Sequence, residues 1–253
     1  MDVTASLAHH IVDHNWGLTL GGISLPITTH TVTLWAVSLV LLLLLAWAAR
    51  PHLSRGGRLV TTLLEEYVLF IRDNLVLPNM GEEGRKFVPY FCTLFVFILA
   101  VNLAGMIPGM KSANANISIT AALALCSGGL IVYSGLKFHG VVGFIKSFIP
   151  SGTPWWLVPL IFPLEVVSTI IKVSVLAIRL FANMFSGHVA LLCLLFMIFM
   201  LGQTHWAAGA GSALPIMGLE LFMTCLELLV AFLQAYVFTL LTAIFTGAVI
   251  HTH

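Results

Sequence analysis

From Phe162 to Gln203 the chain carries only three formally charged residues, Glu165, Lys172 and Arg179, in a run that is otherwise almost wholly apolar. A helix over 164–201 would be about 57 Å long at 1.5 Å per residue, against a hydrocarbon core of about 30 Å. A helix perpendicular to a bilayer does not fit, so the segment either breaks or lies strongly tilted. A second run, 214–250, poses the same problem. Residues 202–213, with three glycines and only small or polar residues apart from Trp206, read as the loop between them. The economical arrangement is a hairpin of two long tilted helices.

The whole chain agrees with a lipid environment. It is 59% hydrophobic and only 8% charged over 253 residues, where a soluble domain is nearer one quarter charged. The apolar runs are long and continuous rather than short alternating segments, which selects helices over a barrel. The expected fold is therefore an all-α integral membrane protein. A net charge of +1 with no basic tract argues against nucleic acid as a partner. The four cysteines lie in four different apolar runs without CxxC spacing, and the ten histidines include no HExxH, so no metal or cofactor site is expected. No lysine or arginine precedes the first apolar run, so a cleaved signal peptide is not evident.

Residues 1–29 form a polar, turn-rich arm with His9, His10, His14 and Trp16, read as extramembrane or interfacial and distinct from a membrane domain over 30–253. The first span runs over 31–49. Arg50, Arg55 and Arg58 follow it, while 1–29 holds no lysine or arginine, which places the N-terminus outside and 50–86 in the cytoplasm. Residues 59–77 suit an amphipathic interfacial helix, and Gly81 and Gly84 break the chain after it. A transmembrane hairpin follows: a span over 87–107 containing Asn102, a short polar loop, and a span over 117–136. Lys137, His139 and Lys146 return the chain to the inside. Residues 147–163 hold four prolines and Trp155-Trp156, which disfavours a straight span there. The two long helices then leave the C-terminus in the cytoplasm.

Charge inside lipid is costly enough that each such residue is a candidate for function. Glu165, Lys172 and Arg179 are seven apart, and so are Glu220, Glu227 and Gln234 on the second long helix; each set returns to nearly one helical face. Asn183 lies four residues after Arg179, on its face. His188 lies nine after, half a turn away. Arg179 would then look toward something outside this chain. His188 would pair with Glu227 across the hairpin, either as a hydrogen bond fixing helix register or as part of a proton relay with Glu220 and Gln234. Asn102 either bonds a neighbouring helix or lines a polar path. Glu165 and Lys172 mark the cytoplasmic end, as a polar pair or as a second access route, although a seven-residue gap is awkward for direct contact. An arginine stays protonated, attracts a mobile carboxylate, and blocks a direct proton leak. Two polar routes either side of it would couple a proton gradient to motion of a partner.

RLFANMFSGH at 179–188, PLEVVSTIIK at 163–172, VNLAGMIP at 101–108 and ELLVAFLQAYVFTLLTAIF from Glu227 resemble subunit a of the F-type ATP synthase. That resemblance covers about 30–250. It implies that Arg179 faces the carboxylate of a rotating c-ring, with Asn183 beside it. It also implies that Glu165 and Lys172 belong to the cytoplasmic half-channel, and that Asn102, His188, Glu227 and Gln234 line or support the outer one. The pair His188 and Glu227 is the swapped form of a glutamate and histidine found in other members, as is familiar from mitochondrial ones. The implied partners are the c-ring, peripheral stalk b subunits, the rest of the synthase and the lipid bilayer. The implied location is the bacterial inner membrane. With no GxxxxGK[ST] loop, the chain itself is not an enzyme. Two other classes compete. A secondary transporter would show internal repeats, which are not evident here. An assembly or anchor protein would need neither Arg179 nor the stripe on the last helix.

Overall fold

The computed structural model describes residues 19–20, 23–24, 29–48, 55–106, 116–147, 154, 156–204 and 206–250. The reading of 1–18, with its histidines and Trp16, lies outside them. The fold is built on helices, α1 (Thr29–Ala48), α2 (Arg55–Phe70), α3 (Leu77–Met80), α4 (Val88–Gly105), α5 (Ile117–Ser147), α6 (Val158–Thr204) and α7 (Trp206–Ile250). The sole β-structure among the described residues is one antiparallel pair, with Thr19 opposite Ser24 and Leu20 opposite Ile23.

α1 has 20 residues, about the 30 Å needed to cross the hydrocarbon. Its leucines at 39 and 42–45 and its tryptophans at 35 and 47 are exposed, as a lipid-facing helix requires. α2 continues into a π-helical turn, Ile71–Val76, which inserts extra residues per turn and rotates the side chains that follow. Ile71, Leu75, Val76 and Met80 are completely buried as a result. The segment expected to lie on the membrane surface thus ends inside the core, and its other face is exposed, where Arg72 forks onto Asp73 at 2.7 and 3.1 Å. Gly81, at φ 62°, makes the sharp turn that ends α3, and a 3-10 turn over Gly81–Phe87 leads into α4.

Three boundaries differ from expectation. α5 does not stop at 136; it runs on to a kink at Gly140, whose φ of 68° interrupts the helix before its last turns. α6 starts at Val158, inside the proline-rich stretch. Pro159 sits in its first turn, where the missing N–H costs nothing, and Pro163 is carried within the helix. The expected loop 202–213 is helical up to Thr204 and again from Trp206. Its four alanines are the best helix formers and outweigh its glycines.

α7 is the centre of the bundle and packs on α6, α5, α4 and α3. In the larger of two core clusters Phe91, Ile98, Leu176, Leu180, Ala235 and Phe238 meet the buried side chains of the π turn and α3, while Val37 of α1 and Val101 of α4 form the smaller. Lipid tails are as apolar as leucine, so close packing rather than water exclusion holds these helices together.

Candidate functional site

Two contacts set the antiparallel register of α6 and α7. The Lys172 ammonium lies over the Phe245 ring, 5.7 Å from its centroid. Further along, the Glu227 carboxylate lies against Gly187, where an added Cβ would stand 2.7 Å from Oε1. Arg179 falls midway between these contacts on α6. The corresponding midpoint on α7 is near Tyr236, so Arg179 sits near the level of Gln234–Phe238, where α7 is largely buried.

Polar groups gather on the buried side of that level. Asn102 of α4 is 1% exposed and donates from Nδ2 to the Ala231 carbonyl at 3.1 Å. This is helix-to-helix bonding, one of the two roles open to it from sequence. Gln234, one turn beyond Ala231, is 5% exposed, and its Nε2 has no hydrogen-bond partner among the described residues. An amide donor left so is costly, and such groups mark sites of function or bound water. Glu227 is half-buried with Oε1 shielded from solvent. Glu220 is half-buried two turns earlier, and its carbonyl accepts the Thr224 hydroxyl at 2.9 Å. The side chain of His188 lies outside the described residues, and the expected His188–Glu227 contact with it.

The opposite face of α6 is different. Arg179 is exposed, in a surface with Ile171, Val175 and Ile178, while its neighbours Leu176 and Leu180, turned toward the bundle, are buried. No ion pair or hydrogen bond joins Arg179 to another described residue. Asn183 follows one turn on, half-buried, its carbonyl accepting the Ser186 hydroxyl at 3.0 Å. Glu165 and Lys172 do touch, Nζ to Oε1 at 3.5 Å, so their flexible stems cross the gap that looked awkward from sequence. They are apart from the Glu227 group, nearer the far end of α7.

Sequence reasoning passed over two features. His139 of α5 donates from Nε2 to the last two carbonyls of α7, Val249 at 3.0 Å and Ile250 at 3.1 Å. The last four carbonyls of a helix lack intrahelical donors, and no spacing in the sequence reveals a cap 110 residues away. Thr239, Thr242 and Thr246 continue the buried polar side of α7, each bonding the carbonyl four residues back at 2.7–2.8 Å. They satisfy themselves and so lie in the core at little cost. Their recurrence at three- and four-residue spacing was the available signal. A cavity of about 910 Å³ lies elsewhere, between α1, α2 and α4, lined by residues such as Leu42, Val68 and Phe97. No group of three or more His, Cys, Asp or Glu among the described residues could hold a metal.

Among the described residues four helices are long and apolar enough to cross a membrane, which defines a multi-pass membrane protein with buried polar groups between helices and an exposed arginine on α6. Comparison with known proteins gives the family. The ATP synthase A chain family matches residues 31–247. ATP synthase subunit a of Myxococcus xanthus is 41% identical over 236 residues, 91% of this chain and 75% of that one. Subunit a of Chlorobium phaeobacteroides is 36% identical, over 95% of this chain and 74% of its own. That of Acidiphilium cryptum is 43% identical over 71% of each. The chain belongs to the F-type ATP synthase subunit a family, membrane-embedded and non-catalytic.

Proposed function

We propose that this chain moves protons through two offset half-channels beside a rotating c-ring and so couples a proton gradient to ATP synthesis in partner subunits. The observation that carries this reading is the split on α6. Arg179 is exposed on one face, while Asn102, Gln234 and Glu227 converge behind the other. A ring carboxylate arriving at Arg179 is held ionised by the opposite charge. It regains a proton only after moving to a polar route, and the permanently charged guanidinium bars passage between routes. Glu227, with Gln234, Asn102, Glu220 and His188, forms the outer route. Glu165 and Lys172 mark the inner one, and Asn183 adjoins Arg179 at the ring.

In this reading 30–253 is the membrane domain and 1–29 an extramembrane arm. The N-terminus is outside, the C-terminus is in the cytoplasm, and the membrane is the bacterial inner membrane. The arm and 50–86 meet the peripheral stalk b subunits. The test is Arg179→Ala in the assembled synthase in membrane vesicles. Coupled proton transport is expected to vanish while the complex remains assembled; ATP-driven pumping at the original rate would end the reading.

A further inference from the structure

Of all the contacts between α6 and α7, the one at Gly187 is built from an absence. An ideal Cβ there would lie 2.7 Å from Glu227 Oε1, 3.1 Å from Cδ and 3.6 Å from Cγ. Ordinary contact begins at 3.4 Å, so the carboxylate occupies the place that a side chain at 187 would take. Gly187 has no positive φ to require glycine. Glycine in mid-helix is unfavourable by about 1 kcal/mol relative to alanine, so backbone stability does not explain it either.

We propose that Gly187 is a positioning residue for proton transfer: its bare backbone is the wall against which the Glu227 carboxylate is held. The inference rests on the reading of Glu227 as a proton-carrying group. The atom that a Cβ meets is the far end of a flexible side chain, which yields by rotating about its own bonds. An added methyl group therefore leaves the helices together and moves the carboxylate by several tenths of an ångström. Proton transfer depends steeply on such distances, since a misplacement of about 1 Å costs on the order of a hundredfold.

The experiment uses the whole synthase in inverted membrane vesicles, with ATP-driven acidification divided by the amount of assembled complex. Gly187→Ala is expected to assemble normally and to pump about tenfold more slowly per complex. Glu227→Asp draws the carboxylate back by one methylene, clear of position 187, and is itself expected to slow pumping. On that background Gly187→Ala is expected to add less than about a twofold further loss. Normal flux in Gly187→Ala beside a dead Glu227→Gln would overturn the positioning role alone. Normal flux in Glu227→Gln would remove the proton reading of Glu227 and the proposal with it. A further loss of about tenfold from Gly187→Ala on the Glu227→Asp background, or failure of the alanine chain to assemble on both backgrounds, would reduce Gly187 to a packing residue and overturn the proposal.

Discussion

Two glycines on the same helical hairpin show how alike residues serve different ends. A Cβ at Gly187 meets the tip of a carboxylate, whereas one at Gly247 would run into the backbone carbonyl of Asn79, with Met80 Cγ at 3.4 Å. The first obstacle swings aside. The second belongs to the main chain of α3, which the completely buried Ile71, Leu75, Val76 and Met80 anchor between a π turn and a 3-10 turn, and cannot. The end of α7 near Gly247 is also capped by His139 and flanked by the Lys172–Phe245 contact, so its polar groups are paired. Two turns from Glu227, Gln234 keeps a buried donor without a partner among the described residues. One region of the hairpin is thus closed and structural, the other polar and left open to chemistry.

Substitutions sharpen or break this contrast. The largest effect on the folded state is expected from Gly247→Val, which forces α7 away from α3. Overpacking of this kind costs about 1–3 kcal/mol, read as loss of folded protein after heating in detergent; unchanged heat resistance would break the contrast at its structural end. Asn102→Ala removes the bond to Ala231 and is expected to cost about 1 kcal/mol in the same assay. His139→Phe leaves the last carbonyls of α7 without their cap. A loss of about 0.5–1.5 kcal/mol is expected, and hydrogen exchange should quicken at the end of α7 while staying unchanged near Glu227. The smallest effect belongs to Lys172→Met. The side chains of the Glu165–Lys172 pair are 41% and 40% exposed, and screening holds such a pair below about 1 kcal/mol. A larger loss of stability would show that the pair is structural and not a solvated approach.

Much of this was legible from residues alone because lipid makes polar groups conspicuous. The three charges of α6, the stripe Glu220, Glu227, Gln234 and the lone Asn102 stand out in apolar runs. Helical period places Asn183, four residues on, on the face of Arg179 and His188 away from it without any coordinates. Boundaries were harder. Alanines carried α6 and α7 nearly to meeting through a stretch whose glycines suggested a loop. The burial of Ile71 and Leu75 depended on a π turn that has no marker in the sequence. Contact between Glu165 and Lys172 was discounted because backbone spacing says little about how far two flexible side chains reach.

The sequence by itself determined the environment, the hairpin and the identity of the few costly groups, because burying charge or amide in hydrocarbon is expensive wherever it occurs. Only the tertiary structure decided which of those groups are settled. Asn102 has Ala231 129 positions away, His139 has the end of α7, and Glu227 has the bare backbone of Gly187. Period reports how a side chain is turned about its own helix axis. What stands opposite it depends on which other helix packs there and at what register, and that is a property of the assembled bundle.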